Sequence, residues 1–280
     1  MKKIGFADYY LSEWHANNYP AWLREAAEKL GVEYRVAYAW AEEDISPVDG
    51  VSTDQWCAKM GVERCASLEE LCEKSDVIVI LAPSDPEKHL DYAKEVLQFG
   101  KRTYIDKTFA PNLAVAKEIF EIGQRYNSPF FSSSALRYSD ELAQFRGAKN
   151  ILLTGGGRSL EEYGIHLVEM AVALLRDPAR KVKVERLGQQ RICSIVTESG
   201  AKAALLYSPA LGYSIAAEGA DGQYAHKAIA SPFFENLIAD MLLFFEKGRA
   251  SFDVRQTLEV MRLRDGILKA DAMEGSWLEL

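Results

Sequence analysis

Five apolar residues in a row, Val77-Ile78-Val79-Ile80-Leu81, carry no polar residue at alternate positions. That pattern predicts a strand covered on both faces, as in a parallel sheet. Helical spacing follows at Leu90, Ala93 and Leu97, Gly100 stops the helix, and residues 102–105 predict a second strand. Upstream, residues 3–7 predict the first strand of the chain. The helix after it is expected to take Asn17 or Asn18 as N-cap and Pro20 near its first position, with an apolar stripe at Leu23, Ala26, Ala27 and Leu30 and a stop at Gly31. A strand over 33–39, a helix over 53–60 ending before Gly61, and a capping-box start at Ser67-Leu68-Glu69-Glu70 continue the alternation. Strand and helix in turn predict an α/β fold with a Rossmann-like, doubly wound parallel sheet.

Beyond Arg180 the period changes to two. Residues 182–187, 191–197, 201–207 and 213–218 predict antiparallel strands, with Ser199-Gly200 and Asp221-Gly222 as hairpin turns. Helices over 232–247 and 255–273 close the chain and present Leu237, Met241, Phe244 and Phe245 to a core. The predicted second half is an α+β domain with a large, mostly antiparallel open sheet. At 280 residues the chain is long for one core, so the expected division is residues 1–125 and residues 126–280.

Composition narrows the function classes. The formal net charge of −8 argues against nucleic acid or an anionic membrane surface as partner. No apolar run approaches a membrane span, and the two lysines at the start give way to polar residues before a signal peptide's apolar region forms. The four cysteines, Cys57, Cys65, Cys72 and Cys193, lack C-x-x-C spacing and predict reduced thiols in a cytoplasmic protein.

Candidate chemistry gathers at three places. Asp106 and Lys107 follow the strand over 102–105, at the carboxyl edge where open α/β sheets place ligands. The first strand-to-helix turn, Gly5-Phe6-Ala7-Asp8-Tyr9-Tyr10-Leu11-Ser12-Glu13-Trp14-His15, lacks G-x-G-x-x-G and puts Asp8 and Glu13 where a dinucleotide's phosphates would sit. Ser12 and the amides after it remain a possible phosphate seat. Tyr9, Tyr10 and Trp14 suit stacking on a ring or sugar face, or simple cover over the sheet edge, and His15 is read first as a packing histidine. In the second half, Glu162 and His166 stand at i and i+4 on one side of a helix, where a carboxylate can hold an imidazole for proton transfer. The plainer reading is a surface pair, or a histidine packed between domains. With four histidines and no H-E-x-x-H, a metal site is not expected.

Gly100-Lys101-Arg102-Thr103-Tyr104-Ile105-Asp106-Lys107-Thr108 resembles the G-K-H-V-x-x-E-K-P stretch of the Gfo/Idh/MocA family of oxidoreductases, with Asp for Glu and Thr for Pro. Ala82 to His89 resembles that family's segment near the nicotinamide ribose, Ser132 to Tyr138 its strand ending in an Arg and an aromatic residue, and Gly155 to His166 its D-x-G-x-H segment with Glu162 for Asp. The resemblance implies NAD or NADP as cofactor, with Ala7, Ser12, Trp14, His15, Trp40, Pro83, Ser84, His89 and Asp106 around it. Lys107 is implied to hold a reacting secondary hydroxyl, His166 to take its proton, Glu162 to steady the ring, and Arg137 and Tyr163 to touch a sugar-like or polyol substrate. It also implies a homodimer or homotetramer through the second sheet. Glu42 is a weak candidate for a ribose contact. The degenerate first turn keeps open a non-redox binding or regulatory protein, or a redox-neutral lyase or hydrolase, on the same fold.

Overall fold

The structure is a computed structural model that describes residues 1–219 and 222–280; Asp221 of the expected hairpin turn lies outside the described residues. Two compact units divide the chain. The first comprises Met1–Ser133 and Leu237–Val254, the second Ser134–Asn236 and Arg255–Leu280. The division differs from the expected one at 125 because the strand Phe130–Phe131 pairs with the strand Thr103–Ile105, and because the chain returns to the first unit after Asn236.

In the first unit the elements are β1 (Lys2–Asp8), α1 (Trp14–Leu30), β2 (Tyr34–Ala41), α2 (Thr53–Met60), β3 (Glu63–Arg64), α3 (Leu68–Lys74), β4 (Val77–Ile80), α4 (His89–Val96), β5 (Thr103–Ile105), α5 (Leu113–Arg125) and β6 (Phe130–Phe131). The strands form one parallel sheet in the order β3-β2-β1-β4-β5-β6. Strand order reverses between β1 and β4, which opens a crevice at the carboxyl ends of β1, β4 and β5. Both faces are covered, and Phe6, Ile78 and Tyr104 are fully buried. Gly5 serves this packing: a Cβ there would lie 2.3 Å from Ser75 Oγ.

Helix α1 starts at Trp14 rather than after Asn17 or Asn18, and Pro20 lies inside it. Glu13 supplies the cap, accepting from the amides of His15 and Ala16, so the asparagines become helix interior. Asn17 Oδ1 instead accepts from Trp56 Nε1 at 3.0 Å. The segment expected as a strand ending at Tyr138 is a 3₁₀ turn over Ala135–Tyr138, because Ser134 Oγ accepts from Leu136 N.

The second unit holds β7 (Asn150–Gly155), α6 (Leu160–Leu175), β8 (Ala179–Leu187), β9 (Gln190–Thr197), β10 (Lys202–Tyr207), β11 (Ser214–Glu218), β12 (Tyr224–Ala228), α8 (Gln256–Ala272) and β13 (Trp277–Glu279); α7 (Phe233–Lys247) begins there. Its sheet runs β12-β11-β7-β10-β9-β8-β13. Every described pairing is antiparallel except β7 with β10. Strict alternation sorts the two faces: in β10, Ala203, Leu205 and Tyr207 are buried, while Ala204 and Leu206 are half-buried. Helices α6 and α8 pack on this sheet.

Candidate functional site

At the end of β5 one side chain and one backbone amide hold the Asp106 carboxyl. It is 1% exposed, and its Oδ1 accepts from Tyr104 Oη at 3.0 Å and from Lys107 N at 2.8 Å. Lys107 is half-buried, and its Nζ donates to the Pro83 carbonyl at 3.1 Å. No carboxylate lies within ion-pair distance of it among the described residues. A lysine beside only a neutral carbonyl keeps hydrogen-bonding capacity for a further oxygen atom. Pro83 is buried beside it and Ser84 is exposed.

His89 lies farther inside than a ligand contact requires. Its Nδ1 is 3.1 Å from the Phe109 carbonyl and its Nε2 is 2.6 Å from the Leu81 carbonyl, in full burial. Burial pushes its pKa down, against the pull of those two carbonyls. His89 therefore braces the end of β4 against the loop after β5, and the expected ribose contact is replaced by this internal one.

The first turn is closed by its own side chains. Leu11 is 2% and Glu13 8% exposed, and Ser12 sits at φ +65° with its hydroxyl donating to Asp49 Oδ2 at 2.8 Å. Glu13 Oε2 accepts from His15 N at 2.8 Å and Oε1 from Ala16 N, which takes up amides that open toward a ligand in an uncapped helix. Glu13 Oε2 also lies 3.2 Å from His15 Nδ1, and His15 Nε2 lies 3.8 Å from Asp106 Oδ2. Asp8 Oδ1 accepts from Tyr9 N at 2.7 Å and Ala82 N at 2.9 Å, tying β1 to the end of β4 beside the buried Ala7. Burial first, and Glu13 second, push the Asp8 carboxyl well above the usual carboxylate range.

Around this turn the aromatic residues separate. Trp14 is exposed, with edge contacts to His15 and Trp22 at 5.0 and 5.5 Å. Tyr9 lies under the Lys88 ammonium at 4.5 Å, and Trp40 meets the Tyr92 ring edge-on at 5.5 Å. Glu42 accepts from Lys88 at 2.5 Å and Tyr92 Oη at 2.7 Å, so internal partners occupy the carboxylate considered for a ribose.

In the second unit His166 has a partner that sequence spacing did not suggest. Ser134 Oγ lies 2.6 Å from His166 Nδ1, while the rings of Tyr163 and Tyr213 stand 5.8 Å away on the imidazole's flanks. Glu162, expected to steady that ring, is paired with Arg158 instead. The ion pair with Arg158 one turn back satisfies Glu162 locally, and Ser134, 32 residues upstream of His166, carries no periodic signal. Arg137, expected at a substrate, forms a buried ion pair with Glu169 and donates to Gln256 Oε1 at 2.7 Å. Burial of a guanidinium demands such partners, and here they come from α6 and α8.

A dinucleotide's pyrophosphate does not fit the β1–α1 turn as it stands. The amides that would hold it are bonded to Glu13, and Asp8 and Asp106 add buried carboxyl groups alongside.

Comparisons place the chain among known proteins. Residues 43–133 match the family described as "Oxidoreductase family, NAD-binding Rossmann fold". The oxidoreductase YhhX of Escherichia coli, itself uncharacterized, is 34% identical over 59 residues, which cover 21% of this chain and 17% of that protein. Over the whole fold, a myo-inositol dehydrogenase from Corynebacterium glutamicum superposes with a TM-score of 0.79 at 12% identity, covering 100% of this chain and 99% of that one. An aldose-aldose oxidoreductase from Caulobacter crescentus superposes at 0.75 with 14% identity and 100% of both chains. Residues 43–133 thus match an NAD-binding Rossmann family of oxidoreductases, and the fold along the whole length is that of the dehydrogenases compared.

Proposed function

We propose that the chain oxidises a secondary alcohol of a sugar, polyol or related small molecule, with NAD or NADP as hydride acceptor. The observation that carries this reading is Lys107, half-buried at the carboxyl end of β5, whose Nζ has only the Pro83 carbonyl as partner among the described residues. In this role its ammonium holds the reacting hydroxyl oxygen. His166 receives the hydroxyl proton at Nε2 while Nδ1–H donates to Ser134 Oγ, so that Ser134 takes over the steadying role expected of Glu162. Tyr163 flanks that imidazole and is the proposed substrate contact on the same helix.

The proposal includes a homodimer or homotetramer through the second sheet. Its support is a concavity of about 1020 Å³ on that sheet, lined by Leu152, Ala204, Ala216, Tyr224 and Trp277 among others. Tyr224 is 78% exposed, an apolar ring that a partner surface would cover. Four buried free thiols suit the cytoplasm as place of action. No helix among the described residues is long and apolar enough to cross a membrane.

A second reading, a non-redox binding or redox-neutral member of the fold, is favoured by one observation, the Glu13 carboxylate on the α1 amides. Incubating the protein with a panel of sugars and polyols and NAD⁺ or NADP⁺, and following reduced nicotinamide, separates the two. Turnover is expected, and Lys107→Ala is expected to lower kcat by at least about 10²-fold with an unchanged melting temperature. Normal kcat in that variant overturns the proposal.

A further inference from the structure

We infer that Glu13 is a built-in anion occupying the seat of a ligand phosphate at the start of α1, so that a pyrophosphate reaches this seat only by displacing it. Three observations support it. The carboxylate spans the second and third amides of the helix, His15 N and Ala16 N, and the next amide, Asn17 N, is already in the helix ladder with the Glu13 carbonyl at 2.9 Å. Its chain neighbours are packed in: Leu11 and Ser12 are 2% and 4% exposed, and Ser12 is latched to Asp49 by its hydroxyl and to Ser46 Oγ by its carbonyl.

The third is the crowding of acidic groups. Asp8 Oδ2 and Asp106 Oδ2, in side chains 1% exposed, each lack a hydrogen-bond partner among the described residues. Two further carboxyl groups beside the capping carboxylate crowd acidic groups at the crevice end of β1 and β5, and a second anion adds to that crowding. The helix dipole that attracts phosphate in a glycine-rich turn is here spent on the chain's own side chain. The affinity-setting residue for any phosphate-bearing ligand at this turn is thus Glu13. Its effect on turnover depends on the dinucleotide reading above; the occupied seat does not.

The test is calorimetric titration of the full chain with inorganic pyrophosphate, and fluorescence titration with NADH, for the unaltered protein and for Glu13→Ser. Serine keeps a neutral helix cap and removes the charge. The expected result is no measurable pyrophosphate binding by the unaltered protein and binding at least about tenfold tighter by the variant. Pyrophosphate binding of equal strength in both, or NADH binding that weakens in Glu13→Ser, overturns the inference. If Glu13→Ser loses its circular dichroism spectrum, Glu13→Gln is read by the same criteria. Pyrophosphate binding gained by the variant with no NADH binding by either protein supports the occupied seat and removes the redox reading. Equal pyrophosphate binding in both proteins, with NADH bound by both, does the reverse.

Discussion

Two strand-to-helix turns, one in each unit, meet the same geometric demand with opposite residues. Between β1 and α1 the chain runs Tyr9-Tyr10-Leu11-Ser12-Glu13 with no glycine, and a carboxylate caps the helix. Between β7 and α6 it runs from Gly155 through Gly156 and Gly157 to Ser159, whose hydroxyl caps α6 by accepting from Glu162 N. The glycines of the second turn do not open a ligand cradle. A Cβ on Gly155 would meet the Tyr213 ring at 2.4 Å, one on Gly156 the Ser208 carbonyl oxygen at 1.9 Å, and one on Gly157 the Tyr163 ring at 2.1 Å. Tyr207 and Tyr213 then donate to the Gly157 and Gly156 carbonyls at 2.8 and 2.9 Å. Glycine in such a turn reports that something comes close to the backbone, and here that something is the protein itself.

The comparison can be broken most forcefully at Gly156. Its neighbour is backbone and cannot swing aside, so Gly156→Ala is expected to cost about 3 kcal/mol or more in thermal or urea unfolding. A loss below about 1 kcal/mol would mean that the second turn has spare room after all.

Asp8 sharpens the first turn. Its folded-state pKa is raised, so the folded protein holds that proton more tightly than the unfolded chain. The associated stability is fully present below the unfolded carboxylate value and is lost as pH rises through the folded one. Asn at this position keeps the doubly bonded Oδ1 and removes the ionisable group whose burial raises the pKa. Asp8→Asn is therefore expected to raise stability at neutral pH by on the order of 1 kcal/mol. The gain should shrink as pH falls toward the ordinary carboxylate range, which melting curves across pH would show. A pH-independent difference would mean that Asp8 titrates alike in the folded and unfolded chains.

Ser12 should give the smallest effect. Glycine suits φ +65° but loses the hydroxyl bond to Asp49 and adds freedom to the unfolded chain. These terms oppose one another, and Ser12→Gly is expected to change unfolding free energy by less than about 1 kcal/mol. A larger loss would show that the latch to Asp49 holds the first turn shut.

Much of this was legible along the chain. The unbroken run at Val77–Ile80 and the period-two segments after Arg180 decide which residues can be buried on both faces or on one, and the strands β4 and β8 to β11 fall within a few residues of those expected. Lys107 at a strand end and the absent glycines of the first turn were also visible, since both depend only on local order. Less was legible about partners. Ser134 beside His166, Glu169 beside Arg137, and the two carbonyls around His89 come from segments distant in sequence or from backbone, and no spacing rule encodes them.

The sequence by itself determined the layering and the placing of Asp106 and Lys107 at the carboxyl edge, because hydrophobic period and strand ends are properties of neighbouring residues. Only the tertiary structure decided what those polar groups do once buried. It turned Glu13 from unwelcome charge into the cap of α1, moved the start of that helix to Trp14, and gave His166 a serine in place of a carboxylate. The physical reason is that a buried polar group must find its partner among whatever the fold brings within about 3 Å, and that set is assembled from the whole unit.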